Sequence, residues 1–258
     1  MITVVLKFFL LIALSFISLL FTASAKENSA RIAIVIDDIG YRYTDKNVLS
    51  LPGSITYSVL PHTPYGKILA TKANAQQKEV LLHIPMEAEN GKKLGPGALT
   101  SSMNKIEIHA SLSESLAEVP FAIGINNHMG SRLTQLADPM YWTMGFLKEH
   151  DLLFLDSKTS PFSKASVIAQ KLGVPVQGRH IFLDNELSDN YINQQFQLLI
   201  KEAQNQSFAI AIAHPHPETI QALLYLIPTL AQNNIELVSL SALYSEEESY
   251  HAQNVSDE

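Results

Sequence analysis

Two hydrophobic patterns alternate along the chain. Short blocks are apolar almost throughout: Ile32–Ile36, Ile55–Leu60, Val80–Leu82, Phe121–Ile125, Leu152–Leu155, Phe208–Ala213 and Ile235–Leu240. Strands of a parallel sheet covered on both faces read this way. Between them lie stretches with helical spacing, such as Ile192, Phe196, Leu199 and Ala203, or Ile220, Leu223, Leu224, Ile227 and Leu230. Thr63-Pro64, Asp138-Pro139, Ser160-Pro161 and His216-Pro217 read as helix starts, a polar cap followed by a proline whose missing N–H is not needed there. Strand, loop and capped helix in repetition predict a parallel α/β fold. No linker interrupts the series, so residues 31–243 form one domain. About seven strands favour a (β/α) barrel, with an open doubly wound sheet as the alternative.

The two ends follow a different pattern. Lys7 precedes an apolar run from Phe8 to Phe21, and Ala23-Ser24-Ala25 supplies small residues where a signal peptidase cuts. Residues 1–25 therefore read as a signal peptide and the protein as secreted or periplasmic. An uncleaved N-terminal membrane anchor is the alternative, because the run approaches the ~20 residues of a spanning helix. No later run is long enough to span a membrane. Residues 26–30 read as a polar linker, and 244–258, with Glu246-Glu247-Glu248, as an acidic disordered tail.

Composition narrows the functions open to the chain. Of 258 residues 47% are apolar, ample for a large core, and the formal net charge of −7 gives no basic surface for nucleic acid. Cysteine is absent. An exported domain is then held by its core alone, and any metal site must use histidines and carboxylates.

Ligands in parallel α/β folds bind beyond the carboxyl ends of the strands. The residues following each apolar run are therefore informative. They are Asp37-Asp38-Ile39-Gly40; His83-Ile84-Pro85-Met86-Glu87; Asn126-Asn127-His128-Met129-Gly130-Ser131; Asp156-Ser157-Lys158-Thr159; and His214-Pro215-His216-Pro217. Each has a plain structural reading: an Asp that caps a turn, a hydrogen-bonded histidine, a rigid proline turn with His216 starting a helix. Alternation along a strand would also turn one of Asp37 and Asp38 outward, unless the chain bends there. Together, however, five strand ends carry Asp, His or both while the opposite ends do not. Two adjacent carboxylates after a buried strand call for a cation.

These motifs, in this order, resemble the polysaccharide deacetylase superfamily and within it the divergent branch, over about Arg31–Leu243. The resemblance implies a distorted parallel barrel. It implies Asp37 as general base, Asp38 as metal ligand and His214 as general acid. His83 falls where typical members have the first of two metal-binding histidines four residues apart, and Glu87 stands at the second. Asn127-His128-Met129-Gly130-Ser131 and Phe182-Leu183-Asp184-Asn185 are similar to motifs of the divergent branch. Two typical motifs are not recognisable: the arginine that orients the base, and an Asp-Trp pair that supports the acid.

Residue chemistry and resemblance together point to metal-assisted hydrolysis of an acetamide on an N-acetylated envelope glycan. A divalent ion, zinc in the first instance, would be held by Asp38 and His83 with Glu87 or His128 as third ligand. Asn127, Ser131, Asp156, Arg179, Asp184 and His216 are candidates for substrate contact or support. Arg179 and Asp184 could orient Asp37 and a histidine, or simply pair with each other. Two further readings remain open: a non-catalytic envelope protein that binds glycan or a partner, and a hydrolase of another amide or ester.

Overall fold

The computed structural model describes residues 29–244. The stretches read as signal peptide and acidic tail, and most of the expected linker, lie outside the described residues. Nine strands form one sheet: β1 (Ala30–Ile39), β2 (Ile55–Val59), β3 (Val80–Met86), β4 (Gly124–Met129), β5 (Leu153–Asp156), β6 (Val176–Gly178), β7 (Ile181–Phe182), β8 (Phe208–Ala213) and β9 (Ile235–Leu237). Their order is β6-β5-β4-β3-β2-β1-β8-β7, with β9 beside the start of β1. Every pairing is parallel. β6 and β7 end the order without pairing to each other, and only Arg179-His180 joins them. The result is a distorted half-barrel, open at one seam.

Six α-helices alternate with the strands: α1 (Gly66–Ala75), α2 (Lys105–Glu118), α3 (Ala137–Glu149), α4 (Ala165–Leu172), α5 (Asp189–Gln206) and α6 (Pro217–Leu226). His216-Pro217 starts α6 as expected. Thr63 and Ser160 instead close turns ahead of α1 and α4, binding Leu60 O and Phe162 N, and Asp138-Pro139 lies inside the first turn of α3. Among the described residues no helix is long and apolar enough to cross a membrane.

Side-chain alternation divides the core in two. Ile32, Ile34 and Ile36 of β1 pack outward with the helices, while Ala33 and Val35 point into the barrel with Leu81, Leu155, Ile210 and Ile212. The inner cluster also takes in Leu240, Leu243 and Tyr244, and the Tyr244 hydroxyl donates to Phe154 O. The folded unit thus reaches Ala30 at one end and Tyr244 at the other, one residue beyond each bound read from the sequence.

The inward parity of β1 continues to Asp37, which would leave Asp38 outside. A bulge changes this. Ile36 pairs with Tyr57 and Ile39 with Val59, so β1 spends one more residue than β2 over this stretch. Asp38 takes a φ of 59°, a left-handed conformation that Asp tolerates better than most residues. Ile39 then faces the outer core again.

The turn after the bulge is pinned from below. The buried Asp45 carboxylate accepts from Gly40 N at 3.0 Å and Arg42 N at 3.1 Å, and pairs with Arg42 Nε at 3.2 Å. Gly40 has a φ of 139°, and a Cβ there would sit 2.2 Å from Thr63 Oγ1. Asp45→Ala would strand two backbone donors and lower stability by about 2 kcal/mol. Urea denaturation of the two proteins measures this, and an unchanged midpoint would show that the turn holds without Asp45.

Candidate metal centre

The same parity that aims Asp37 inward selects its neighbours. On β3 Leu81 points into the barrel and Leu82 and Ile84 out, so His83 points in. On β4 Ile125 faces out, so Asn126 and His128 face in. On β8 Ile210 and Ile212 face in, and His214 follows at the strand end. Four strand ends therefore place Asp37, Asp38, His83, Asn126, His128 and His214 around one mouth.

Asp38, His83 and His128 form the tightest group. Asp38 Oδ1 lies 3.0 Å from His83 Nε2 and 2.8 Å from His128 Nδ1, and the two ring nitrogens are 3.1 Å apart. Ligands bonded at ~2.0–2.1 Å to a tetrahedral ion stand ~3.3 Å from one another. The three atoms are thus one face of such a shell, slightly contracted. These are the only His, Asp or Glu residues among those described that gather as a possible metal site.

Asn126 sets the chemistry of this group. Its Nδ2 donates to Asp37 Oδ1 at 2.8 Å, while its Oδ1 accepts from His83 Nδ1 at 2.9 Å and from the Ser58 hydroxyl. Only this orientation of the amide gives the carboxylate a donor and the ring an acceptor. It fixes the His83 Nδ1 proton and turns Nε2 toward Asp38 and His128. An acceptor on the far nitrogen of the ring is what orients a metal-binding histidine.

Charge balance gives the second test of fit. Burial raises the Asp37 pKa, against the lowering pull of His83 and His214. Burial also works to raise that of Asp38, but hydrogen bonds from His128 and His83 outweigh it and hold the carboxylate ionised far below its usual range. Burial works to lower the His83 pKa, yet Asp37 and Asp38 reverse the sign and raise it. The two carboxylates draw positive charge into the mouth. A divalent ion bound to two neutral imidazoles would neutralise them both, so the donor set fits such an ion.

Beside this group stands a second dyad. His214 Nδ1 lies 2.9 Å from Asp184 Oδ1, and Asp184 Oδ2 accepts from His214 N at 2.7 Å and from Thr219 Oγ1 at 2.8 Å. Burial disfavours the charged ring, but Asp184 more than compensates, and the His214 pKa is pushed up to about 9. Asp184 thus orients a histidine, as one of its two sequence readings expected.

Other candidates have different roles. Glu87 pairs with Arg132 Nε at 2.8 Å and accepts from Ser101 N at 2.5 Å. β3 stays extended to Met86, so Glu87 lies ~13 Å along the strand from His83 and cannot share its ion; His128 is the third donor. Arg179 pairs with neither Asp37 nor Asp184. Its guanidinium donates to the carbonyls of Ser157, Lys158 and His180 and lies over the Phe182 ring. Asp156 closes a turn onto Lys158 N. Asn127 braces Ser157 N and Met129 O, and Ser131 accepts from Glu89 N. His216 precedes α6, its ring 6.1 Å from that of His214. Sequence reasoning missed Asn126, Ser58 and Thr219 as supports.

Asn126→Ala would leave His83 Nδ1 and Asp37 without partners. Metal affinity should fall about 10–100-fold with the fold retained. Calorimetric titration with zinc reads this directly, and unchanged affinity would remove Asn126 from the centre.

Known proteins are similar in sequence and fold. Residues 34–244 match the divergent polysaccharide deacetylase family. The uncharacterized protein YibQ of Escherichia coli K12 is 38% identical over 219 residues, covering 84% of this chain and 68% of its own. A crystal structure of an uncharacterized Agrobacterium tumefaciens C58 protein superimposes with a TM-score of 0.80 at 26% identity, over 83% of this chain and 89% of that one. The catalytic domain of a peptidoglycan N-acetylglucosamine deacetylase from Eubacterium rectale shares the fold alone, with a TM-score of 0.51 at 13% identity over 82% and 88% of the two chains. The match spans every strand end that carries a donor, and the chain belongs to the divergent polysaccharide deacetylase family.

Proposed function

We propose that the protein removes acetyl groups from an N-acetylated polysaccharide with the help of one divalent metal. The observation that carries this reading is the placement of two proton-transfer groups beside the Asp38–His83–His128 donor set. Such an ion, when bound, would acidify a water and polarise the acetyl carbonyl.

The chain's own residues would handle the protons. Asp37 Oδ1 is held by Asn126, and Oδ2, 3.7 Å from His83 Nε2, is the oxygen that would accept a proton from the attacking water. His214 Nδ1 is held by Asp184, so the proton it can give lies on Nε2. An amine leaves poorly unless protonated, and His214, protonated up to about pH 9, suits that task. β8 pairs directly with β1, Ala213 beside Ile36, so base and acid come from neighbouring strand ends.

Export belongs to the same proposal. The apolar run and the small-residue site of residues 1–25 support a periplasmic or secreted protein and an envelope glycan as substrate. Zinc is the first ion to test, since two imidazoles and a carboxylate suit it. The non-catalytic reading keeps one observation in its favour: Arg179 spends its donors on backbone carbonyls instead of on Asp37.

Acetate release from N-acetylated glycans, measured with zinc, manganese, cobalt or magnesium, tests the reading. Asp37→Asn and His214→Ala should each reduce turnover by ~10²–10⁴-fold while metal still binds. The sign of the pH dependence follows from the shifts. His214 must carry its proton, so activity falls as pH rises through about 9. Asp37 must be ionised, and its raised pKa puts the acid limb above the ordinary carboxylate range. Asp184→Asn removes the charge that raises His214 and should move the basic limb down toward ~6.5. No acetate with any of these metals would favour the binding-protein reading instead.

A further inference from the structure

Beyond the β3 and β4 strand ends lies a depression of about 310 Å3, lined by Ser101, Leu136, Ala137, Asp138, Pro139 and Trp142. Ser101 belongs to the loop between β3 and α2, and the other five to the segment between β4 and the second turn of α3. It therefore opens on the same side of the barrel as the metal centre. Its size suits one ring-sized group.

The lining is apolar in part and polar in part. Leu136, Ala137 and Pro139 supply an apolar floor. The Asp138 carboxylate and the Trp142 indole N–H have no protein partner among the described residues, whereas the Ser101 hydroxyl is hydrogen-bonded to Glu87. The frame around them is nonetheless fixed. Ser101 N donates to Glu87 Oε2 at 2.5 Å, and the Trp142 carbonyl lies 3.0 Å from His109 Nε2. Glu87 follows His83 by four residues, so the depression is tied to the strand that carries a metal ligand, ~13 Å farther along it.

We infer that this depression is a subsite for one sugar ring of the polysaccharide, a few units along the chain from the acetyl group attacked at the metal centre. The inference rests on the proposed deacetylase reading and extends it. A pyranose presents C–H groups on one face and hydroxyls around its edge. The indole can take the face, and its N–H can act as a polar handle. Asp138 accepts from edge hydroxyls, and the Ser101 hydroxyl, with its proton on Glu87, can accept from another. A carboxylate alone would suit a cation, but the indole and the apolar floor favour a neutral ring. Glu87 then has a role that metal binding does not give it, as the brace that positions Ser101.

Trp142 is the only tryptophan in the chain, which makes its emission a specific probe. The full protein is titrated with the N-acetylglucosamine hexasaccharide, in the parent and in Asp138→Ala. A saturable change in emission is expected, with the dissociation constant about tenfold weaker in Asp138→Ala. In acetate-release assays Trp142→Ala should raise KM about tenfold for the hexasaccharide, leaving kcat and the KM for the disaccharide unchanged. Far-UV circular dichroism confirms that both variants fold, and Trp142→Phe, which keeps a ring, should recover most of the affinity. Emission unmoved by the hexasaccharide at millimolar concentration overturns the subsite, even if acetate is released. A saturable emission change without acetate release upholds the subsite and sinks the deacetylase reading.

Discussion

The bulge in β1 is the constraint on which the rest of the site depends. A regular strand would send Asp37 and Asp38 to opposite faces. One extra residue, with Asp38 at a φ of 59°, brings both carboxylates to the barrel mouth. Left-handed backbone at a residue other than glycine carries strain, which the surrounding structure must hold. Asp45, clamped on Gly40 and Arg42, does so from below, and the hydrogen bonds of His83 and His128 to Asp38 do so from above. Two adjacent carboxylates in a desolvated mouth would repel if left alone. The bulge therefore creates a demand for positive charge as well as a geometry, and the two histidines answer both.

That demand explains why the residues of the centre cannot be treated singly. His83 takes a raised pKa because Asp37 and Asp38 face it, although burial opposes its charge. A proton shared among these groups and a divalent ion would compete for the same lone pairs, so metal binding must release protons. Asn126 stands at the junction, touching Asp37, His83 and Ser58 at once. The His214–Asp184 dyad is a separate unit with its own brace in Thr219. One network holds Asp37, Asp38, His83 and His128, and the other holds His214.

How much of this was legible in the sequence depended on length and on parity. Each of the seven apolar runs overlaps a strand, because strands covered on both faces leave an unbroken apolar trace. β6 and β7 were not read, since three and two residues leave no pattern. β4 was cut short at Ile125. It continues through Asn126-Asn127-His128-Met129 because polar side chains are satisfied inside the mouth, where strand periodicity persists without hydrophobicity. The same parity could have found Asn126, two residues before His128 on one face. Glu87 was misread because a spacing of four serves a shared ion only on a helix, and β3 stays extended. Ser58 and Thr219 leave no local signal, since each acts on a residue distant in sequence.

The two ends of the barrel also divide stability from chemistry. At the amino-terminal end, Glu79 binds Ser241 N and its hydroxyl and accepts from Thr56 Oγ1, while Thr56 Oγ1 accepts from Leu240 N. These contacts draw the last described segment under the sheet, and Leu240, Leu243 and Tyr244 fill the barrel from that side. Polar groups there are matched to fixed partners within the protein. At the carboxyl end, Asp37 Oδ2 and the Asp38 carboxylate are matched by ionisable histidines instead of by fixed neutral partners. A barrel plugged at one end can hold such groups at the other, because the strands that carry them are fixed by packing below. The open seam between β6 and β7 follows from the same arrangement. Closure there is left to the Arg179-His180 turn, where the Arg179 guanidinium gathers the carbonyls of Ser157, Lys158 and His180 beside the mouth.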